Sequence, residues 1–184
     1  MALVESNLFG LGILAPDCSL LNVSTGKQNN LNDLRGDNGT VILFICNHCP
    51  FVLHVNEGIV ELANDYQRKG INFIAISSND VDNYPQDGPE QMKAVAQKLA
   101  YPFPYLYDET QEVAKAYNAA CTPDFYVFDP ELRAVYHGQL DDSRPGNGKP
   151  VTGDDMRIAF EALLSFTENK ALQKPSIGCS IKWK

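Results

Sequence analysis

The sequence predicts an α/β domain in which helices flank a central mixed β-sheet, and three segments carry this prediction. Residues 40–46 (TVILFIC) and 71–77 (INFIAIS) are continuous apolar runs, typical of strands buried on both faces of a sheet. Between them, Val52, Val55 and Ile59 recur three and four positions apart and so share one helical face. A strand, a helix and a second strand at this spacing predict a βαβ unit with parallel strands.

Turn residues and apolar spacing predict the elements on either side of this unit. These are a hairpin at residues 20–23 and 28–31, helices starting near Pro89, Thr110 and Asp154, and a strand pair at residues 125–128 and 134–137. The segment up to Asp17 is expected to be irregular. The C-terminal tail, residues 175–184, retains Ile177, Ile181 and Trp183, so we expect it to dock onto the body of the domain.

Length and composition limit the classes of protein to consider. The 184 residues, 44% of them hydrophobic, fit one domain spanning residues 1–184. No stretch approaches the ~20 apolar residues of a membrane helix, so no membrane partner is expected. The net charge of −8 argues against nucleic acid as a partner. Residues 1–16 lack the basic start of a secretory signal, which predicts a cytoplasmic protein. No cofactor is expected.

The cysteines indicate chemistry rather than structural cross-links. An odd number of cysteines at irregular spacing makes a poor disulfide scaffold, and in a reducing compartment it indicates catalysis, metal binding or simple burial. The five cysteines are Cys18, Cys46, Cys49, Cys121 and Cys179.

Cys46 and Cys49 bracket Asn47 and His48 at the point where a buried strand leads into a helix. The free N–H groups and the positive end of the helix dipole favour a thiolate there, and Pro50 fits the first helical turn. Two cysteines at this spacing can form a disulfide and reopen by thiolate attack. The alternative is half of a zinc site, but such a site needs four ligands and the other cysteines are scattered singly. The context therefore favours a redox pair.

The motif and its surroundings resemble the thioredoxin superfamily. The shared features are a strand, a C-x-x-C motif and a helix, followed much later by Thr122-Pro123 just before a strand. The chain further resembles the peroxiredoxin-like branch, the alkyl hydroperoxide reductase/thiol-specific antioxidant group, in its hairpin, Cys49-Pro50, residues 73–80 (FIAISSND) and residues 175–184 (PSIGCSIKWK). The resemblance implies a thioredoxin-like fold with an N-terminal β-hairpin extension and a docked C-terminal tail. It also implies a cis peptide before Pro123, facing the cysteine pair.

The motif combines features of both groups. Thioredoxins carry Trp before the first cysteine and Gly-Pro between the two, where this chain has Ile45 and Asn47-His48. Peroxiredoxins carry Thr or Ser three residues before the peroxidatic cysteine, where this chain has Cys46, so Cys49 aligns with the peroxidatic position. His48 resembles the histidine of periplasmic disulfide-forming oxidases. By stabilising the thiolate it would make the pair more oxidising than that of thioredoxin; the alternative is a solvated loop histidine.

The candidate site contains catalytic and substrate-binding residues. We predict Cys46, Cys49 and Cys121 as catalytic and Asn47, His48, Thr122 and Pro123 as substrate-binding, with no resident metal. Cys121 could resolve a mixed disulfide or a sulfenic acid, or could be a small buried hydrophobic residue. Cys179 has the same two interpretations. Arg144 could stabilise a thiolate or a peroxide oxygen, or could be a solvated loop residue.

Three functions follow from these candidates. In a thiol–disulfide oxidoreductase, one cysteine attacks a partner disulfide and the other resolves the mixed disulfide; thioredoxin logic nominates Cys46, at an exposed helix start. In a thiol peroxidase, Cys49 attacks the peroxide, and Cys46 or Cys121 resolves the sulfenic acid. In a metal-binding module, Cys46, Cys49 and His48 or Cys121 are ligands. Expected partners are protein or low-molecular-weight disulfides and thiols, with peroxides as a further candidate, and a thiol electron donor such as a thioredoxin.

Overall fold

The computed structural model describes residues 3–184, and two sheets lie within them. The strands are β1 (Leu3–Glu5), β2 (Ser19–Asn22), β3 (Lys27–Asn30), β4 (Gly39–Phe44), β5 (Ile71–Ser77), β6 (Tyr105–Tyr107), β7 (Cys121–Thr122), β8 (Asp124–Phe128), β9 (Ala134–Gly138) and β10 (Ile177–Ser180). The helices are α1 (Leu31–Leu34), α2 (Pro50–Gln67), α3 (Pro89–Lys98), α4 (Glu112–Ala116) and α5 (Asp154–Leu164), with a 3₁₀ turn at Pro85–Asp87. The first two residues of the predicted domain lie outside this range.

The larger sheet has the strand order β3-β2-β6-β5-β4-β8-β9 and is mixed, as the sequence predicts. The pairs β4–β5 and β5–β6 are parallel, and the other neighbouring strands are antiparallel. The predicted βαβ unit is β4–α2–β5, with Val41 opposite Phe73 and Ile42 opposite Ile74. The predicted hairpin is the β2–β3 pair. The chain thus has the predicted thioredoxin-like fold, a mixed sheet flanked by helices.

Both faces of this sheet are buried, which explains the continuous apolar runs in the sequence. Val41 and Leu43 of β4 belong to the core beneath α2 and α5, whereas Ile42 and Phe44 belong to the core on the opposite face, against α4. Alternate residues of one strand therefore serve two cores.

Helix α2 is the element that positions the cysteine pair. Pro50 is its first residue and Cys49 its N-cap, as the Cys-Pro step predicts. Gly70 was predicted at the C-cap, and this is wrong: the helix ends at Gln67 with Arg68 as C-cap. Gly70 instead takes the left-handed conformation (φ +80°) in the turn that leads to β5.

The C-terminal tail docks as strand β10, which pairs with β7 on one side and with β1 on the other. The prediction of an irregular N-terminal segment is therefore wrong for Leu3–Glu5, because β10 offers these residues a free edge. A Cβ built on Gly178 would lie 2.0 Å from the carbonyl oxygen of Thr122, so only glycine allows this close approach. Within residues 3–184, none of the helices combines the length and apolarity needed to cross a bilayer.

Candidate active site around Cys46 and Cys49

The cysteine pair lies where β4 leads into α2, and both side chains are buried. Cys46 is 2% exposed and Cys49 is 0% exposed. The prediction that Cys46 sits at an exposed helix start is therefore wrong, because the loop carrying Asp87 and the strand β7 pack against this turn. A reactant reaches these sulfurs only if the loop carrying Asp87 or strand β7 moves, or if the reactant is small.

Thr122 contacts both sulfurs. Its hydroxyl oxygen lies 3.4 Å from Sγ of Cys46, and its carbonyl oxygen lies 3.2 Å from Sγ of Cys49. The Thr122–Pro123 peptide bond is cis, which confirms the geometry implied by the family resemblance. Both cysteines are free thiols. The structure therefore brings together Cys46, Cys49 and Thr122, three of the residues predicted for the site.

The two thiols share their protons unequally. The hydrogen bond from Cys46 lowers the pKa of the Cys49 thiol; burial opposes this effect, and hydrogen bonds from Cys179 and from the backbone N–H of Val52 reinforce it. Donating that hydrogen bond raises the pKa of Cys46, and burial and the charge of Asp87 raise it further. The pair thus favours one negative charge on Cys49, at the N-terminus of α2, with the proton held on Cys46. A protonated Cys49 instead donates to the carbonyl of Thr122.

Asp87 is the most important site residue that the sequence did not reveal. Its carboxylate is fully buried, and its Oδ2 lies 2.7 Å from Nδ1 of His48. Its Oδ1 accepts the backbone N–H of Asn47 at 2.8 Å, and Oδ2 also accepts the amide of Asn79 at 2.8 Å. Because a carboxylate only accepts, Nδ1 of His48 carries a proton in this arrangement.

His48 is fixed on a second side by an aromatic ring. Its imidazole stacks on Tyr84 with the ring centroids 5.7 Å apart and the planes 6° from parallel. The His48 side chain is 18% exposed, and one of its ring nitrogens lies within 4.8 Å of the sulfur of Cys46. Sequence spacing did not reveal Asp87 or Tyr84 because both lie in a turn-rich segment without periodicity, far from the motif along the chain.

A metal-binding role was the third interpretation, and one group of residues bears on it. Candidate ligand atoms of Cys46, His48 and Asp87 all lie within 4.8 Å of one another. Cys, His and Asp are ligands that Zn²⁺ accepts. Here, however, the carboxylate already accepts three hydrogen bonds, one of them from the candidate ligand His48. The contacts favour a hydrogen-bonded acid–base group over a metal centre.

The predicted substrate-binding residue Asn47 is held by protein groups. Its Nδ2 donates to the carbonyl of Gln86 at 2.9 Å, and its Oδ1 accepts the hydroxyl of Tyr105 at 3.2 Å. These contacts fix the loop between the cysteines. Pro123 lines a pocket on the other side of the Thr122 segment.

The remaining cysteines differ in their relation to the pair. The Cys121 thiol points towards the carbonyl oxygens of Pro123 (3.8 Å) and Ser176 (4.0 Å). Burial, and then the charge of Asp124, raise its pKa. Cys179 instead hydrogen-bonds to Cys49 through its side chain and its backbone. The tail therefore contributes a third sulfur to the site at Cys179, whereas the third catalytic cysteine predicted from the sequence is Cys121.

Arg144, the candidate cation, is used within its own loop. Its Nη1 donates to the carbonyl oxygens of Asp141 at 2.7 Å and Ser143 at 2.6 Å, and its Nη2 donates to the side-chain oxygen of Gln139. Arg144 therefore lines the pocket beside Pro123, and these hydrogen bonds hold it there.

Comparison with solved structures identifies close relatives. The chain is 63% identical to an uncharacterized conserved protein from Geobacillus kaustophilus (TM-score 0.98; 100% of this chain and 97% of that chain covered). It is 45% identical to a hypothetical protein from Sinorhizobium meliloti 1021 (TM-score 0.95; 98% of each chain covered). A thioredoxin-family thiol:disulfide interchange protein from Chlorobium tepidum TLS shares the fold at 17% identity (TM-score 0.64; 85% and 99% covered). No curated protein matches significantly.

A family model completes the assignment. Residues 11–137, which include the whole cysteine motif and the Thr122–Pro123 segment, match the AhpC/TSA family. This match and the thioredoxin-like fold support thiol-based redox chemistry acting on thiols, disulfides or peroxides, and they fit the arrangement of Cys46 and Cys49. The chain belongs to the AhpC/TSA family.

Proposed function

We propose that the protein is a thiol–disulfide oxidoreductase that works through Cys46 and Cys49. The observation that supports this most is the pair itself: a thiol donates to a second sulfur at the N-terminus of α2, and both touch Thr122. One thiolate and one thiol side by side are the two groups that disulfide exchange requires.

The reaction proceeds by two exchange steps. A thiolate of the pair attacks one sulfur of the substrate disulfide, which forms a mixed disulfide and releases the first substrate thiolate. The other cysteine loses its proton and attacks the mixed disulfide, which releases the second substrate thiolate and leaves a Cys46–Cys49 disulfide. The two electrons pass to the substrate sulfurs, which are protonated as they leave. A thiol donor such as a thioredoxin then returns two electrons to the pair.

We assign to His48 the transfer of protons between the cysteine pair and solvent. The ring lies beside the motif, is held by Asp87 at 2.7 Å and is partly exposed. A cationic or hydrogen-bonding imidazole next to the pair favours thiolate over disulfide, so the reduction potential should lie above that of thioredoxin, ≈ −270 mV.

Thiol peroxidase activity is the second candidate, and the lowered pKa of Cys49 together with the AhpC/TSA match favours it. Here the Cys49 thiolate attacks the peroxide O–O bond, becomes sulfenic acid and releases an alcohol or water. The Cys46 thiol condenses with the sulfenic acid, which forms the disulfide and a second water. Both candidate reactions leave a Cys46–Cys49 disulfide, which the thiol donor then reduces to the dithiol.

Matched serine variants distinguish the two candidates. We expect the wild-type protein to reduce a model protein disulfide. The Cys46→Ser and Cys49→Ser variants should each lose this turnover by at least about a hundredfold, and Cys121→Ser should retain it. The same four proteins are assayed for peroxide consumption with dithiothreitol as reductant. Peroxide turnover that survives in Cys46→Ser, is lost in Cys49→Ser and exceeds disulfide reduction in the wild type would replace the first candidate with the second.

A further inference from the structure

A pocket lies behind the Thr122–Pro123 segment, between the first turns of α2 and the loop that follows β9. Its interior is about 20 Å³, room for one or two oxygen atoms, and it opens to solvent. We call it the Arg144 pocket, and its lining includes Phe51, His54, Pro123, Phe125, Ser143 and Arg144. Pro123 lines the pocket, and the preceding residue, Thr122, contacts both sulfurs, so the pocket adjoins the proposed redox site.

Unsatisfied polar atoms are concentrated in this pocket. Within residues 3–184, two buried side-chain nitrogen atoms have no hydrogen-bond partner, His54 Nε2 and Arg144 Nε, and both belong to residues that line the pocket. The Ser143 side chain, also in the lining, hydrogen-bonds to the carboxylate of Asp141. Ser143 itself is 2% exposed. A buried polar group without a partner costs about 1–3 kcal/mol. Two such groups around one small space indicate a ligand atom that pairs with both of them.

The charge around the pocket indicates what kind of atom this is. The Nη atoms of Arg144 donate only to neutral oxygens, those of Gln139, Asp141 and Ser143. The carboxylate of Asp141 is instead satisfied by the Ser143 side chain and by the backbone N–H groups of Ser143, Thr152 and Gly153. The half-buried guanidinium therefore presents an unused N–H donor. Together with His54, which can also donate, it suits an anionic oxygen.

We propose that the Arg144 pocket binds a carboxylate group of the substrate, so that the protein acts on disulfides or thiols that carry a carboxylate near the reacting sulfur. This inference rests on the proposed function. It adds a substrate class to it: acidic low-molecular-weight disulfides, or protein disulfides flanked by an acidic side chain. The sulfur chemistry is unchanged, since the carboxylate only positions the disulfide across Pro123.

Two disulfides that differ only in their end groups test the proposal. The probes are 3,3′-dithiodipropionic acid and its diamide, and each enzymatic kcat/KM is divided by the rate of the same disulfide with dithiothreitol. We expect the normalised kcat/KM to favour the diacid by about tenfold or more, as one hydrogen bond to a charged group implies. Arg144→Gln should bring the ratio close to one.

The matched control is Arg157→Gln, which removes a guanidinium on α5 that pairs with Asp65, away from the pocket. This variant should keep the preference of the wild type. Equal turnover of the two disulfides by the wild type, or a preference that Arg144→Gln leaves intact, would show that the pocket holds only water. Failure to reduce either disulfide would count against the proposed function instead.

A binding measurement keeps the two failures apart, because it needs no sulfur chemistry. Suberic acid, in which two methylene groups replace the disulfide sulfurs, is titrated into wild-type protein while the side-chain NMR signals of Arg144 Nε–H and His54 are followed. In the wild type we expect both NMR signals to shift saturably with suberic acid and not to shift with suberamide. In Arg144→Gln, the His54 signal should not shift with suberic acid. No saturable shift with suberic acid would overturn the carboxylate site, whatever the enzyme assay shows.

Discussion

At the scale of single residues, the carboxylate of Asp87 determines how His48 can act. The Asp87 carboxylate contacts Nδ1 of the His48 ring, and the ring stacks on Tyr84. These two contacts hold the ring in one orientation. Charge-assisted hydrogen bonds of this kind contribute about 1.5–3 kcal/mol. Asp87 is therefore a positioning residue that acts through His48.

Replacing Asp87 tests this role. Asp87→Asn keeps the shape but removes the charge, so the ring should lose its fixed orientation and exchange with a small disulfide should slow by about tenfold. The slowly exchanging Nδ1 proton signal of His48 should disappear at the same time. The exposed acid Asp82 in the same loop provides the control, and Asp82→Asn should change neither quantity. An unchanged exchange rate in a variant that has lost the proton signal would refute the assignment.

Residue types and local spacing were enough to predict the cysteine pair and the Pro50 helix start, since each follows from neighbours along the chain. The relevance of Thr122 was implied by the family resemblance. Asp87 and Cys179 could not be placed in this way, because they reach the pair only through the packing of a loop and of a tail strand. The exposure predicted for Cys46 failed for the same reason: burial of the turn depends on elements distant in sequence.

At the scale of secondary structure, the tail strand β10 closes the site from the side opposite to Asp87. It carries Cys179 to Cys49 and passes so close to β7 that Gly178 has no room for a side chain. The sequence predicted that the tail docks from its apolar residues, but the strand pairing and the role of Gly178 depend on β1 and β7, which are too short to be recognised by alternation.

Gly178→Ala tests the close packing of β10 on β7. A Cβ 2.0 Å from the Thr122 carbonyl oxygen forces the strands apart, so we expect the free energy of unfolding to fall by about 1–3 kcal/mol. Urea denaturation measures this change, and Ser180→Ala on the same strand is the control, with a loss below about 0.5 kcal/mol. If the free energy of unfolding fell by the same small amount in both variants, β10 and β7 would not pack closely enough at Gly178 to exclude a side chain.

At the scale of the whole molecule, the fold couples the redox state to stability. The sheet buries both faces of β4, and this rigid strand holds Cys46 and Cys49 beside the N-terminus of α2, where an anion is stabilised. The stabilisation exists only in the dithiol form, because a disulfide has no charge. A pair that is more oxidising in the folded protein than in the unfolded chain therefore implies that the reduced protein is the more stable form.

Thermal unfolding of the two redox forms measures this coupling. We expect the reduced protein to unfold a few degrees higher than the oxidised protein, since about 1 kcal/mol corresponds to 2–4 °C in a chain of this size. The Cys46→Ser/Cys49→Ser double variant should show no dependence on the redox buffer. A higher midpoint for the oxidised form would mean that the fold favours the disulfide.

The titration of thiolate absorbance near 240 nm, compared between wild type and Cys49→Ser, tests the central claim most directly. Because hydrogen bonds lower the pKa of Cys49 and raise that of Cys46, the reduced wild type should carry one thiolate well below pH 8.5, the usual cysteine value, and Cys49→Ser should lack it. Two thiols that both ionise near pH 8.5, with no difference between the proteins at neutral pH, would contradict the account.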